Sequence, residues 1–216
     1  MRWVLIPGIL AANLAFVGLG SVFDYPGILG EPPATILAAF AAHQTAISAW
    51  FLLLAAGAAA LVPAAVLLGR RLEGPAAALS VHVGVLAGVV QVLGLLRWPY
   101  AVPSLAETAH EGATTVFAAL HGYLGTGIGE TLGYLLTAAW TILVLVALPA
   151  PRRWFTALGV VSALAVGVGV LVPLGLPGAD LANFVGYIAW SVWAICLAAQ
   201  YGGRVVRVAA TQGTLV

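Results

Sequence analysis

The stretch HGYLGTGIGETLGYLLTAAWT, from His121 to Thr141, places one carboxylate in an apolar run where charge is otherwise scarce. Glu130, Tyr134, Thr137 and Thr141 stand at i, i+4, i+7 and i+11, which puts them on one face of a helix. Asp180, Asn183, Tyr187 and Ser191 repeat the pattern at i, i+3, i+7 and i+11. Asn13, Ser21 and Asp24 near the start of the chain, and Gln44 and Ser48 further on, add smaller polar groups. A carboxylate held in apolar surroundings needs a partner, because an unpaired buried charge costs several kcal/mol. Arg97 is the natural candidate. Two uses of that pair stay open: a structural clamp between neighbouring helices, or part of a ligand or proton site. His121, beside Tyr123 and close in sequence to Glu130, suits proton exchange near neutral pH.

Other chemistry is weaker. His43 and His121 could ligate one haem axially, but a two-haem relay needs a second pair, and His82 stands alone towards the opposite end. His110 lies in a connecting segment. No His-x-x-x-His or Cys-x-x-Cys spacing occurs, so a metal site is not expected. The single cysteine, Cys196, excludes an intrachain disulfide.

The elements that must carry these residues follow from composition. The 216 residues are 62% hydrophobic and 7% charged, with a mean hydropathy of +1.09. Soluble domains carry about 25% charged residues. Apolar runs of bilayer-spanning length recur throughout, so the fold class is all-α: a polytopic membrane protein, a compact bundle of six transmembrane helices forming a single domain over residues 1–216. The spans are Trp3–Phe23, Thr45–Leu68, Ala76–Arg97, Ile128–Leu148, Trp154–Leu174 and Asp180–Tyr201. The first is expected to be a membrane helix and not a cleaved signal, because its apolar stretch is longer than a signal core. Proline- and glycine-rich breaks separate the spans, including RWPYAVP, expected as a rigid turn after the third.

With six spans, Arg2, Arg70, Arg71, Arg152, Arg153, Arg204 and Arg207 fall on one side. Asp24, Glu31, Glu107, Glu111 and Asp180 fall on the other. The positive-inside rule then puts both termini in the cytoplasm and the polar residues in the outer half of the bundle. Arg97 alone breaks the rule, as if held by a specific anion. Trp3 and Trp154 mark the inner interface, Trp98 and Tyr100 the outer one, while Trp140, Trp190 and Trp193 are expected to pack inside. The segments Ala34–Leu68 and Thr114–Leu148 would each run about 52 Å as helix, against a hydrocarbon core of about 30 Å. Each is therefore expected to begin with an extra interfacial helical piece, bearing His43 and His121 respectively. Three small-residue stripes, Gly125–Gly129–Gly133, Ser80–Gly84–Gly88 and Gly159–Ala163–Gly167, would let helices approach closely.

The segments LGLLRWPYAVPSLA, LHGYLGTGIGETLGYLLTAAW and PLGLPGADLANFVGYIAWSVW, with His43–Gln44, resemble a bacterial family of integral membrane proteins. That family is catalogued as domain of unknown function 4386. The resemblance implies a compact helical membrane fold and assigns no catalytic residue.

These features favour a bacterial inner-membrane protein that binds, or transports, a small or amphiphilic molecule. The expected pocket is lined by Arg97, His121, Tyr123, Glu130, Tyr134, Asp180, Asn183, Tyr187, His43 and Gln44. The alternatives are an intramembrane enzyme using Glu130 or Asp180 as acid or base on a lipid-like substrate, a haem protein, and a helical partner or chaperone for another membrane protein. Lipids are expected neighbours, nucleic acid is not, and a homo-oligomer is open. Transport by alternating access has little sequence support, since only the glycine-rich start of the fourth span suggests a broken helix.

Overall fold

The computed structural model describes residues 1–108 and 111–202. His110, Arg204 and Arg207 lie outside the described residues. Every regular element among the described residues is helical, and six are long and apolar enough to cross a membrane. The protein is a multi-pass membrane bundle.

The first span is α1 (Arg2–Phe23), closed by Asp24 in the left-handed conformation at φ 50°, which short polar side chains tolerate. A 3₁₀ turn follows, then α2 (Pro33–Ala42), the short interfacial piece expected ahead of the second span. His43 is the joint. Its backbone leaves helical geometry at φ −137°, and α3 (Gln44–Ala59) begins at the next residue. The second span continues through Ala60, which keeps α-helical angles and donates to the Ala56 carbonyl at 3.2 Å, into α4 (Leu61–Gly69). Pro63 offers no N–H to the preceding turn, which costs the helix one bond there.

The third span, α5 (Pro75–Tyr100), corrects the expected turn at RWPYAVP. The helix passes through Pro99 and is followed after one residue by α6 (Val102–Thr108). Both prolines are accommodated: Pro99 sits in the last turn, and Pro103 sits in the first turn of α6, where no intrahelical N–H is required. After α7 (Glu111–Leu120) the chain winds from His121 to Leu132 as a π-helix of 12 residues, then returns to α geometry in α8 (Gly133–Ala147). The fourth span thus starts with the extra piece foreseen, but not in the winding foreseen. The fifth span is α9 (Arg153–Val168), extended by a 3₁₀ stretch to Leu174. The sixth is α10 (Ala179–Tyr201).

The spans pack as a ring in chain order. α1 lies on α3, α3 and α4 on α5, α5 on α8, α8 on α9, α9 on α10, and α10 returns to α1 along the loosest seam. All three small-residue stripes lie at these contacts. A Cβ on Gly84 would meet the Trp140 indole at 2.5 Å, and one on Gly159 the Trp193 indole at 2.5 Å.

Two aromatic cores fill the ring, one near each end. At the end that holds Met1 and Tyr201, Trp140, Trp190, Trp193 and Phe155 interlock, with Trp140 and Trp193 edge to face at 6.0 Å. At the other end Trp98 is completely buried, stacked on Phe51 at 4.8 Å and met edge-on by Phe23 at 5.1 Å. Trp98 is therefore a core residue and not an interface marker. Continuation of α5 beyond Arg97 turns it inward against α1 and α3. Trp3, Tyr100 and Trp154 are exposed, as belt residues should be.

Candidate functional site

Arg97 sits near the end of α5 with its guanidinium almost sealed from solvent. Three features hold it. Nη1 donates to the Gly94 carbonyl at 2.5 Å. Nη2 donates to His121 Nδ1 at 3.3 Å, and the guanidinium lies 5.2 Å from the centre of the Trp98 ring. Because arginine can only donate, Nδ1 of His121 is an acceptor and the histidine proton belongs on Nε2. Phe117 stacks on that imidazole at 5.5 Å. Axial haem ligation by His121 would cost the Arg97 bond, since the nitrogen that accepts from Arg97 would have to carry the proton instead. His43, at the α2–α3 joint, is exposed, with Gln44 half-buried beside it.

Glu130 Oε1 lies 3.9 Å from Arg97 Nη2. That is an ion pair without a hydrogen bond, whose heavy-atom limit is near 3.2 Å. Arg97 Nε, also buried, has no partner among the described residues. The expected Arg97–Glu130 clamp is thus present in loose form, and its donors are incompletely used.

Glycine makes this arrangement possible. In a π-helix each N–H reaches five residues back, a rare winding often found at functional sites. Gly122, Gly125, Gly127 and Gly129 weaken the competing α-helical preference of the segment. Gly125 lies flat against the guanidinium, where a Cβ would stand 2.6 Å from Cζ. One turn on, the backbones of Gly129 and Gly94 touch: a Cβ on Gly94 would come within 2.5 Å of Gly129 Cα. Gly133 faces the Gln91 side chain. The stripe read from the sequence therefore packs on α5 in the order Arg97, Gly94, Gln91.

Below Glu130 the polar line continues into the ring. Gln91 Nε2 donates to Thr137 Oγ1 at 3.1 Å, Thr141 Oγ1 to the Thr137 carbonyl at 2.8 Å, and Trp190 Nε1 to Thr141 Oγ1 at 2.8 Å. Thr137 and Thr141 are buried. From α10, Tyr187 meets Tyr134 edge to face at 5.8 Å. Asn183 is buried and donates to the Val166 carbonyl at 2.7 Å, so it fastens α10 to α9. Ser191 accepts from Asn13 of α1 at 3.1 Å.

The expected pocket residues therefore divide. Arg97, His121 and Glu130 converge directly, and Tyr134 and Tyr187 stand beneath them. Asp180 is exposed in the first turn of α10, where a carboxylate complements the helix dipole. Tyr123 is 70% exposed, and His43 and Gln44 sit at a surface joint.

Three contributors escaped the sequence reading. Gln91, the amide of an otherwise apolar span, could have been found by its type. Trp190 was assigned to packing alone, although its indole N–H serves Thr141. Tyr25 gave no signal at all. It follows Asp24 in the turn after α1, packs on Phe16 at 5.5 Å and on Phe51 at 5.3 Å, and lies within electrostatic reach of Arg97 and Glu130. Burial, and secondarily the Glu130 carboxylate, push its phenol above the ordinary tyrosine range, so it remains a neutral donor.

A family described as domain of unknown function DUF4386 matches residues 3–197. The chain belongs to that family. No curated protein and no solved structure matches it. The DUF4386 region takes in the Arg97–His121–Glu130 cluster, the whole π-helix and the polar line beneath it, and ends within the last turns of α10.

Proposed function

We propose that this protein binds a small or amphiphilic molecule in a recess headed by Glu130, Arg97 and His121, in the outer half of a bacterial cytoplasmic membrane. The observation that carries the reading is a buried, incompletely satisfied guanidinium set against a partly exposed carboxylate on a π-wound segment. Ionisable groups inside a membrane domain are costly, and they mark functional sites by default. A purely structural clamp is better served by direct hydrogen bonds, which leave no donor unused. The distribution of arginines supports the orientation: the seven expected on the cytoplasmic side include Arg71, whose guanidinium donates to the Tyr201 and Gly202 carbonyls at the end of α10.

The test is thermal-shift and direct-binding measurement on protein purified in detergent, against amphiphiles of differing head group. Binding that is saturable in the native protein and lost in Glu130→Ala supports the recess. Full retention of binding in both Glu130→Ala and Arg97→Ala shows that the site lies elsewhere.

A further inference from the structure

The recess also has a sign, and this deepens the preceding reading and rests on it. Of the two charges, the accessible one is negative. The side chain of Glu130 is 24% exposed and that of Arg97 is 3% exposed. A carboxylate offers two oxygens with about four lone-pair sites. One oxygen of Glu130 stands 3.9 Å from Arg97, and no described residue donates a hydrogen bond to either. Arg97 is covered by Gly125 on one face and lies against Trp98. An incoming anion would have to displace Glu130 to reach it.

Three phenols lie near the carboxylate. Tyr25, Tyr134 and Tyr187 all lie within electrostatic reach of Glu130. Tyr187 continues to Trp190 at 6.3 Å. An acceptor without donors, with phenol rings in reach, is chemistry that recognises an organic cation, to which an aromatic face adds its attraction for positive charge. An apolar seam adjoins these rings, since Phe16 packs on Tyr25. Phe16 of α1 meets Phe184 of α10 at 6.4 Å on the loosest seam of the ring, and Phe184 is 42% exposed.

The geometry points to an organic ammonium with an apolar tail as the occupant: the ammonium on the free face of the Glu130 carboxylate, against Tyr134 and Tyr187, and the tail along the α1–α10 seam. A free alkylamine and the ammonium of a phospholipid head group share this chemistry.

Purified protein is titrated calorimetrically with n-octylammonium, with octanoate and octanol as matched controls, and in nanodiscs of phosphatidylethanolamine or phosphatidylglycerol. Saturable binding of octylammonium alone is expected, weakened at least about tenfold by Glu130→Gln. Tyr134→Leu or Tyr187→Leu should weaken it about 2- to 30-fold. Competition by the phosphatidylethanolamine discs identifies the lipid head group as the source, and its absence identifies a free amine; both support the cation assignment. Unchanged affinity in Glu130→Gln overturns it. If that variant does not fold, unchanged affinity in both tyrosine variants overturns it instead. Octanoate binding that depends on Arg97 removes the cation assignment and leaves the recess standing. Binding of neither class removes both.

Discussion

Arg97 illustrates how a single side chain can depend on a residue that has none. Its guanidinium occupies the space a Cβ at position 125 would need. Gly125→Ala should therefore lower stability by about 1–3 kcal/mol, the usual cost of overpacking, seen as a lower Tm in detergent. Glu130→Ala should destabilise by up to about 3 kcal/mol, because the arginine left behind is a buried charge without its counter-ion; partial exposure of Glu130 keeps the effect below that of a fully buried pair. If so, Arg97→Met added to Glu130→Ala should recover part of the loss. A double variant that is simply additive would show that the pair is not coupled. Deeper in the ring, Thr141→Val removes the acceptor of the Trp190 indole. An orphaned buried donor costs about 1–3 kcal/mol, and the change should appear both in thermal stability and in tryptophan emission.

The π-wound segment sets its own contrast. Gly125 and Gly129 press on α5, whereas a Cβ on Gly122 would meet nothing within 4 Å. Gly122→Ala is expected to leave Tm within a degree or two, or to raise it slightly as helix propensity improves by up to about 1 kcal/mol. Gly129→Ala should lower it clearly, since the obstacle is the Gly94 backbone and cannot move aside. Equal effects at the two positions would mean that the glycines serve winding alone and not contact.

In the assembled ring the two ends differ in kind. The end with Met1 and Tyr201 is floored by interlocked tryptophans, with Phe155 stacked on Trp193 at 5.5 Å. The other end holds the Arg97–Glu130 pair, with the Tyr25 phenol in its core. The polar line below Glu130 ends on that indole floor, where the Trp190 N–H donates to Thr141. An even number of spans also puts both termini on one side. Reporter fusions at the two termini should give the same topological signal, cytoplasmic if the arginine distribution sets orientation. Opposite signals would require an odd number of crossings and would dismantle the ring.

Hydropathy and charge in the amino-acid order determined the all-α class, the six crossings, the extra pieces at His43 and His121, and the partnership of Arg97 with Glu130. Each of these follows from what one residue type costs in a bilayer, a cost that needs no knowledge of neighbours. Tertiary structure alone decided the rest. Trp98 went to the core because α5 ran on through Pro99. Asp180, spaced like a member of the polar line, stayed outside because that line begins only where α10 meets α9 at Asn183. Glu130 was aimed by a π winding that a count in α-helical steps does not contain, since winding here answers to the close contact of Gly125 and Gly129 with a helix distant in sequence. Tyr25 reached the site through a turn whose direction depends on what Phe16 and Phe51 offer it. Periodicity reports which face of a helix is polar; where that face points is settled by the contacts that the other five spans make available.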